Sequence, residues 1–255
     1  MIHPSAVVDP AARLGTGVAI GPFAVIGPEV ELGDGVSVGA HCVLMGRTRV
    51  GARSRLWPAV VLGGDPQILG HGPGRALEIG RENVIREFCA FHAGSDRGDG
   101  ATRIGDGNTF LNHVHVAHDC QVGSGCIFAS YSALAGHVRV EDHVVLGAMT
   151  GVHQSARLGE SAFTAANSMV SQDVPPFAKA AGDRARFAGM NRVGLERRGI
   201  PEAARRALHH AFHLIYHSKL RLEPALARVR AESAGVPEVE RLVAFLEASQ
   251  RGFVR

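Results

Sequence analysis

The sequence predicts an all-β fold with an α-helical tail, in which a parallel β-helix of hexapeptide repeats is followed by a C-terminal helical domain. Three observations support this prediction: a six-residue aliphatic repeat, glycine directly after many repeated residues, and a helical period near the C-terminus. Counted from Ile2, every sixth residue is aliphatic: Val8, Leu14, Ile20, Ile26, Leu32, Val38, Leu44, Val50, Leu56 and Leu62. Neither the helical period of 3.6 nor the strand period of 2 produces this spacing, whereas hexapeptide coils do.

The predicted β-helix covers residues 1–176 and contains two inserted loops. The six-residue phase is lost over residues 63–76, resumes at Ile79, is lost again over residues 93–102, and returns at Ile104. From there it continues to Val170 and ends before Pro175-Pro176. Glycine after the aliphatic residue suits the tight corner that each repeat requires.

Residues 177–255 are predicted to form a linker and a helical domain, with about three helices over roughly residues 191–250. Apolar residues recur there at helical spacing: Leu208, Phe212 and Ile215, then Leu226 and Val229, then Val239, Leu242, Val243 and Leu246. Pro201, Pro224 and Pro237 stand where first-turn prolines are common.

Composition and charge restrict the class of protein. Aromatic residues are only 5% of the 255 residues, so thin layers of Val, Ile, Leu and Ala must fill the core. No apolar run reaches the roughly 20 residues of a membrane span, and the N-terminus has no secretory pattern, which predicts a cytoplasmic protein. The four cysteines lack CxxC spacing, and a net charge of +3 does not favour nucleic acid binding.

The stretch NHVHVAHDCQVG, residues 112–123, holds the strongest candidate site. If three hexapeptides form one coil, residues 18 apart stack at about 4.8 Å. His118 then lies under Gly136 and Gln154, and Asp119 lies under His137. The stacking therefore collects a polar cluster at one corner of three adjacent coils: His118, Asp119, His137, His153 and Gln154.

Two other interpretations of this cluster remain open. A ladder of polar residues can simply line a solvent-exposed face. Alternatively, three histidines can bind zinc, as in the γ-type carbonic anhydrases, another hexapeptide family. The available imidazoles are those of His113, His115, His118, His137 and His153, although Asp119 and Gln154 are interleaved with them.

Several segments together resemble the acyl-[acyl-carrier-protein]–UDP-N-acetylglucosamine O-acyltransferases of lipid A synthesis. They are HVAHDCQVG, LAGHV, GAMTGVHQ, QDVPPF and GLERRGI, in this order, with a tail that ends in RGFVR. The resemblance covers essentially the whole chain, including both loops. It implies a left-handed β-helix, direct acyl transfer without a cofactor, and a homotrimer with each site between two subunits.

The resemblance also implies roles for individual residues. His118 matches the general base, Asp119 matches the acid that orients it, and Gly136 matches the residue whose backbone N–H faces the oxyanion. The positions that match substrate-binding residues are His115, His137, His153, Gln154, Asn191, Arg197 and Arg198. Ala166 and Met169 lie where the family measures acyl-chain length, and they favour a chain of medium length.

The implied partners are acyl carrier protein, which is acidic, and a sugar nucleotide. Basic residues that could attract them are concentrated where the β-helix meets the tail: Lys179, Arg184, Arg186, Arg192, Arg197, Arg198, Arg205 and Arg206. Each of these side chains could equally be an ordinary solvated surface residue.

Some positions differ from the family pattern. The family usually has QDLKY where this chain has QILGH, RGT where it has Ala93-Gly94-Ser95, and Glu where it has Val193. Ile68, Gly70, Ala93 and Val193 therefore replace polar residues, and the candidates to compensate are His71, Arg75 and Arg192. A second hypothesis is thus acyl transfer to another acceptor, such as a 3-amino sugar nucleotide or a molecule that is not a UDP-sugar. A non-catalytic scaffold remains the alternative from a different class.

Overall fold

The computed structural model describes residues 1–70, 72 and 74–255, and within them the chain forms 27 strands and four helices. The strands, in chain order, are β1 Val7–Val8, β2 Arg13–Leu14, β3 Ala19–Ile20, β4 Val25–Ile26, β5 Glu31–Leu32, β6 Ser37–Val38, β7 Val43–Leu44, β8 Arg47–Val50, β9 Arg55–Leu56, β10 Val61–Gly64, β11 Ala76–Ile79, β12 Val84–Ile85, β13 Ala90–His92, β14 Ala101–Ile104, β15 Thr109–Phe110, β16 His115–Val116, β17 Gln121–Val122, β18 Ile127–Phe128, β19 Ala133–Leu134, β20 Arg139–Val140, β21 Val145–Leu146, β22 Gly151–Val152, β23 Arg157–Leu158, β24 Phe163–Thr164, β25 Met169–Val170, β26 Ala178–Ala181 and β27 Arg186–Met190.

Strands β1 to β25 form three parallel sheets, and each coil contributes one strand to each sheet. The first sheet runs from β1 through every third strand to β25, the second from β2 to β23, and the third from β3 to β24. Val116 pairs with Leu134, and Leu134 with Val152, so one coil takes 18 residues. The hexapeptide β-helix is therefore confirmed.

Three corners connect the sheets. The first corner follows the first sheet and includes residues 117–120, 135–138 and 153–156. The second corner follows the second sheet and includes residues 123–126, 141–144 and 159–162. The third corner, which includes residues 129–132, 147–150 and 165–168, returns the chain to the first sheet.

The repeated aliphatic residues fill the interior of the prism. Leu62, Leu134 and Leu146 are fully buried, as the six-residue pattern predicts. Phe110 and Phe128 occupy adjacent rungs, and their rings stack with centroids 4.6 Å apart. Because successive coils present equivalent positions, similar side chains lie in contact along the whole axis.

Both predicted loops fall between strands of the first and second sheets. The first loop lies between β10 and β11, where Leu62 pairs with Phe91 rather than with a residue 18 positions away. The second loop lies between β13 and β14, where Phe91 pairs with Val116. His71, the candidate compensating residue in the first loop, lies outside the described residues.

The chain continues as strands beyond the predicted boundary at residue 176. β26 pairs with β24, and β27 pairs antiparallel with β26, so the third sheet extends to Met190. The repeat could not predict this extension because the extra strands lack its six-residue phase. The division of the chain at residue 176 stays a prediction.

Four helices follow: α1 Arg192–Arg197, α2 Glu202–His217, α3 Leu222–Glu232 and α4 Pro237–Glu247. Leu208, Phe212, Val229 and Leu242 are buried, in agreement with the helical spacing in the sequence. The short α1 is additional to the three predicted helices. Within the described part of the chain, no helix has the length and apolar character needed to cross a bilayer.

Candidate functional site

The candidate site lies at the first corner, where three coils stack. His137 donates its backbone N–H to the carbonyl of His118 at 3.0 Å, and Ser155 donates in the same way to Gly136 at 3.0 Å. This register places Gly136 above His118 and Gln154 above Gly136. The structure thus brings these residues to the corner on which the stacking argument places them.

His118 and Asp119 form a buried hydrogen-bonded pair. Nδ1 of His118 lies 2.8 Å from Oδ2 of Asp119, and the two residues are 7% and 4% exposed. The carboxylate accepts the proton of Nδ1, which leaves Nε2 as the basic nitrogen of a neutral imidazole. A pair of this geometry can remove a proton from a substrate hydroxyl and stabilise the imidazolium that forms.

The second loop encloses the carboxylate of Asp119. Ser95 donates its backbone N–H to Oδ1 at 2.9 Å and its hydroxyl to Oδ2 at 2.6 Å. Thr102 accepts the backbone N–H of Asp119 at 2.8 Å. Burial raises the pKa of Asp119, but the hydrogen bonds from Ser95 and His118 outweigh it and hold that pKa below its usual value.

Ser95 and Thr102 are site residues that the six-residue pattern does not indicate. The available signal was the position of the second loop, which enters immediately before the coil that carries the histidines. Pairing Ser95 with Asp119 requires the path of this loop, which the six-residue pattern does not give.

Gly136 lies against the imidazole of His118. A Cβ at this position would lie 2.5 Å from Cε1 and 2.6 Å from Nε2 of that ring. The backbone N–H of Gly136 has no hydrogen-bond partner among the described residues. The glycine therefore leaves space for the ring and a backbone donor close to it, which is the arrangement needed to stabilise an oxyanion.

Two further histidines border the pair. Nε2 of His137 lies 3.7 Å from Oδ2 of Asp119, and its ring meets that of His118 edge to face. His115 lies on the first sheet, where burial, and then the positive charge of His92, lower its pKa. Asp119 and His137 both adopt φ near 60°, although neither is glycine. The same conformation recurs at corners far from the site, for example at His41 and Met149, so it belongs to the coil rather than to the site.

His153 and Gln154 are exposed and contact the C-terminal segment. Arg251 lies 3.1 Å from Nδ1 of His153 and also donates to the carbonyl of Gln154. The tail therefore closes over the upper end of the first corner.

Asn191, Arg197 and Arg198 lie away from the first corner. Asn191 caps α1 by accepting the N–H of Gly194 and donates to the carbonyl of Ser161 at 2.9 Å. Arg198 donates to Glu160 at 2.7 Å and to Ser161. Ser161 belongs to the second corner, so the structure does not bring these residues to His118 within one chain.

Met169 lies three coils beyond His115, and Ala166 lies in the same coil as His153 and Gln154. Met169 occupies the outer face of the first sheet, in a row with His115, Ala133 and Gly151. A Cβ on Gly151 would lie 2.8 Å from Sδ of Met169. Between His115 and Met169 this row, here called the trough, carries the small residues Ala133 and Gly151, and the side chain of Met169 folds over Gly151. The exposed Ala166 lies at the third corner instead.

The zinc hypothesis depends on which histidines meet. Among the described residues, one group has metal-ligand spacing: His118, Asp119 and His137, whose potential ligand atoms lie within 4.8 Å of one another. His113 lies at the third corner, where its ring stacks on Tyr131 and Phe88. The five imidazoles that the sequence offered therefore do not assemble around one point.

The four positions that differ from the family pattern range from exposed to buried. Val193 is 58% exposed on α1, and Ile68 is half-buried in the first loop. Gly70 is exposed with φ of 68°, and Ala93 is buried at the start of the second loop.

Family profiles match two parts of the chain. Residues 101–136 match the bacterial transferase hexapeptide profile, which describes six repeats. Residues 173–254 match the profile described as UDP N-acetylglucosamine O-acyltransferase, domain 2.

Full-length relatives give the same result. The chain is 47% identical over 255 residues to the acyl-[acyl-carrier-protein]–UDP-N-acetylglucosamine O-acyltransferase of Myxococcus xanthus, covering 100% of this chain and 99% of the relative. It is 44% identical to the protein of the same name from Janthinobacterium, with the same coverage. Among solved structures it resembles the UDP-N-acetylglucosamine acyltransferase from Bacteroides fragilis, at a TM-score of 0.97, 34% identity and full coverage of both chains. The Campylobacter jejuni acyltransferase matches at 0.94 and 32%, also with full coverage of both chains.

Proposed function

This chain belongs to the acyl-[acyl-carrier-protein]–UDP-N-acetylglucosamine O-acyltransferases, and from that premise we propose that it transfers an acyl chain from acyl carrier protein to the 3-position of UDP-N-acetylglucosamine in lipid A synthesis. The observation that carries the proposal is the buried pair of His118 and Asp119 beside the backbone of Gly136. Because Nδ1 of His118 is hydrogen-bonded to Asp119, Nε2 is the ring nitrogen that remains to accept a proton.

The reaction is a direct transfer in which His118 is first base and then acid. Its Nε2 takes the proton of the 3-hydroxyl as the hydroxyl oxygen attacks the thioester carbonyl. A C–O bond forms, and the N–H of Gly136 stabilises the negative oxygen. The C–S bond then breaks, and the imidazolium returns its proton to the departing thiolate. Asp119 holds the ring and its charge throughout.

Cysteine chemistry is not part of this mechanism. The thiol of Cys120 is fully buried, and burial raises its pKa to about 12. A thiol in that state is a poor nucleophile. It instead donates to the carbonyl of Ala135 at 3.2 Å, which is a packing role.

We further propose that the acting unit is a homotrimer. Asn191 and Arg198 lie near the second corner, whereas His118 lies at the first, so a second copy is needed to bring all three to one substrate. Self-association is also supported by stacked aromatic rings along the third corner, where Phe23, His41, Phe88 and Tyr131 are exposed and His113 is half-buried. Sedimentation equilibrium tests this proposal, and a monomer at micromolar concentration would contradict it.

Acyl-chain length is proposed from the trough on the first sheet. It runs from His115 past Ala133 to Gly151, where the side chain of Met169 covers the glycine, two rungs or about 10 Å from His115. A side chain at its end limits the chain to medium length. The basic residues near the tail are proposed to attract acyl carrier protein, and a cytoplasmic location stays a prediction.

The test is an assay of purified protein with a mixture of 3-hydroxyacyl carrier proteins and UDP-N-acetylglucosamine, read by mass spectrometry of the sugar nucleotide. We expect His118→Ala to lower turnover by at least about a hundredfold, within the usual range for general-base catalysis. His143→Ala, at the second corner of the next coil, is the matched control and keeps activity. Wild-type activity in His118→Ala would favour a scaffold role.

The same assay separates the acceptor hypotheses. The names of the relatives favour UDP-N-acetylglucosamine, whereas the exposed apolar Val193 is the departure that favours another acceptor. A competition between UDP-N-acetylglucosamine and its 3-amino analogue gives ester and amide products that differ in stability to mild alkali. Exclusive amide formation would show that the usual acceptor has been replaced.

A further inference from the structure

An open groove of about 1240 Å³ lies beside the first corner, on the outer face of the second sheet. Arg139 and Arg157 form its floor, with Gln121 on the preceding rung. His137 and Gln154 border it on the side of the candidate site, and Arg251 borders it from the C-terminal segment. The groove therefore opens next to His137, whose Nε2 lies 3.7 Å from the carboxylate of Asp119.

The same face of the sheet is electrically balanced farther from the site. Its outward residues are, rung by rung, Arg13, Glu31, Arg49, Glu78 and Arg103, so their charges alternate. Glu31 forms an ion pair with Arg49 at 3.0 Å, and Glu78 forms one with Arg103 at 3.1 Å. Alternation of this kind compensates charges that are only about 4.8 Å apart.

Alternation stops in the coils that carry the candidate site. Gln121 follows Arg103, and Arg139 then stands directly opposite Arg157. Like charges in directly paired positions destabilise a sheet. Arg157 is held by the ring of Phe245 and by the carbonyl of Ala248, whereas Arg139 is exposed and has no polar partner in the described part of the chain.

The carboxylates that face the groove do not neutralise Arg139. Asp173 accepts the backbone N–H of Arg157 at 2.9 Å and the hydroxyl of Ser249 at 2.8 Å. Glu141 accepts the N–H of Glu160, and its other oxygen lies 3.9 Å from Arg157. Burial raises the pKa of Glu141, and its carboxylate makes no hydrogen bond or ion pair with Arg139 among the described residues.

We propose that this groove binds a phosphate diester or diphosphate group of a substrate between Arg139 and Arg157, with Arg251 at the upper end. Guanidinium groups suit this ligand because they donate paired hydrogen bonds to phosphate oxygens. The inference rests on the proposed function, since two of its substrates carry this chemistry. They are the diphosphate of the sugar nucleotide and the phosphodiester of the carrier's prosthetic arm.

The test compares Arg139→Gln with Arg55→Gln. Arg55 is also an exposed strand arginine without a described partner, but it lies on the third sheet, away from the groove. Arg139→Gln is expected to raise the KM of one substrate by about tenfold or more, the loss expected for a charged hydrogen bond. Arg55→Gln leaves both KM values unchanged.

The source of the phosphate follows from which KM changes. A change for UDP-N-acetylglucosamine identifies the diphosphate, and an equal change for acyl carrier protein and for acyl-phosphopantetheine identifies the arm. A change with the whole carrier protein only would overturn the proposal, because it would indicate a protein surface contact. No difference between the two variants would also overturn it.

Calorimetry separates this inference from the proposed function. Binding of UDP-N-acetylglucosamine or acyl-phosphopantetheine by wild type and Arg139→Gln is measured without turnover. Weaker binding by Arg139→Gln supports the groove even if no acyl transfer occurs. Equal binding of both ligands by the two proteins refutes the groove even if the enzyme is active.

Discussion

Substitution of Gly136 by alanine should inactivate the site while preserving the fold. The added Cβ would lie 2.5 Å from Cε1 and 2.6 Å from Nε2 of His118. Carbon atoms normally approach such atoms to about 3.5 Å, so the ring must retreat by about 1 Å. The ring cannot do so without lengthening its 2.8 Å hydrogen bond to Asp119. A displacement of about 1 Å can cost about a hundredfold in rate.

The fold should tolerate this change because Gly136 does not use the left-handed conformation that alanine avoids. Steady-state kcat/KM is expected to fall by about a hundredfold, while the unfolding free energy in urea falls by about 1–3 kcal/mol, the usual cost of an added methyl group in a packed interior. Gly27→Ala, whose Cβ would meet its nearest atom at 3.3 Å in a distant coil, is the control. If kcat/KM of Gly136→Ala stays within threefold of wild type, the imidazole does not need its observed position.

Three further predictions concern the support of the site. Ser95→Ala removes a hydroxyl that donates to the carboxylate of Asp119, so kcat/KM should fall about tenfold. Ser95→Thr keeps a hydroxyl and should recover most of the lost kcat/KM. Equal losses in the two variants would contradict a role for the hydroxyl. Because the pKa of Asp119 is lowered in the folded protein, its carboxylate stabilises the fold above pH 3.8 and ceases to do so as the pH falls through the folded value. The difference in unfolding free energy between wild type and Asp119→Asn should thus shrink below pH 3.8, and a difference that grows in acid refutes this sign. Met169→Ala should extend the longest acyl chain found in the product by mass spectrometry, and an unchanged product distribution would show that the trough does not end at this residue.

The β-helix was predictable because each hexapeptide makes the same local demand. An aliphatic residue such as Leu134 enters the interior, and the corner that follows must be tight. Both requirements fall on neighbouring residues, so they can be recognised in the sequence. The same arithmetic predicts that His118 and Gly136 stack, since a coil of 18 residues leaves no other register. The extra strands β26 and β27 escape prediction because their pairing depends on a turn in the chain rather than on the repeat.

The support of the site is less predictable because it depends on loops and on the sheet faces. Ser95 reaches Asp119 through a loop whose path has no period. The resemblance suggested Asn191 and Arg198 as contacts of the nucleotide, but the coil places them near another corner of the same chain. The location of Asn191 and Arg198 depends on how the tail packs against the β-helix.

The sequence by itself therefore determined the fold, the coil length and the stacking of histidines at the first corner, because these follow from contacts between residues a fixed number of positions apart. The tertiary structure alone decided which nitrogen of His118 is left free, how the second loop holds Asp119, and where Arg139 faces Arg157 without a neutralising acid. These features depend on long-range contacts among loops, tail and outer faces, whose spacing along the chain follows no repeat.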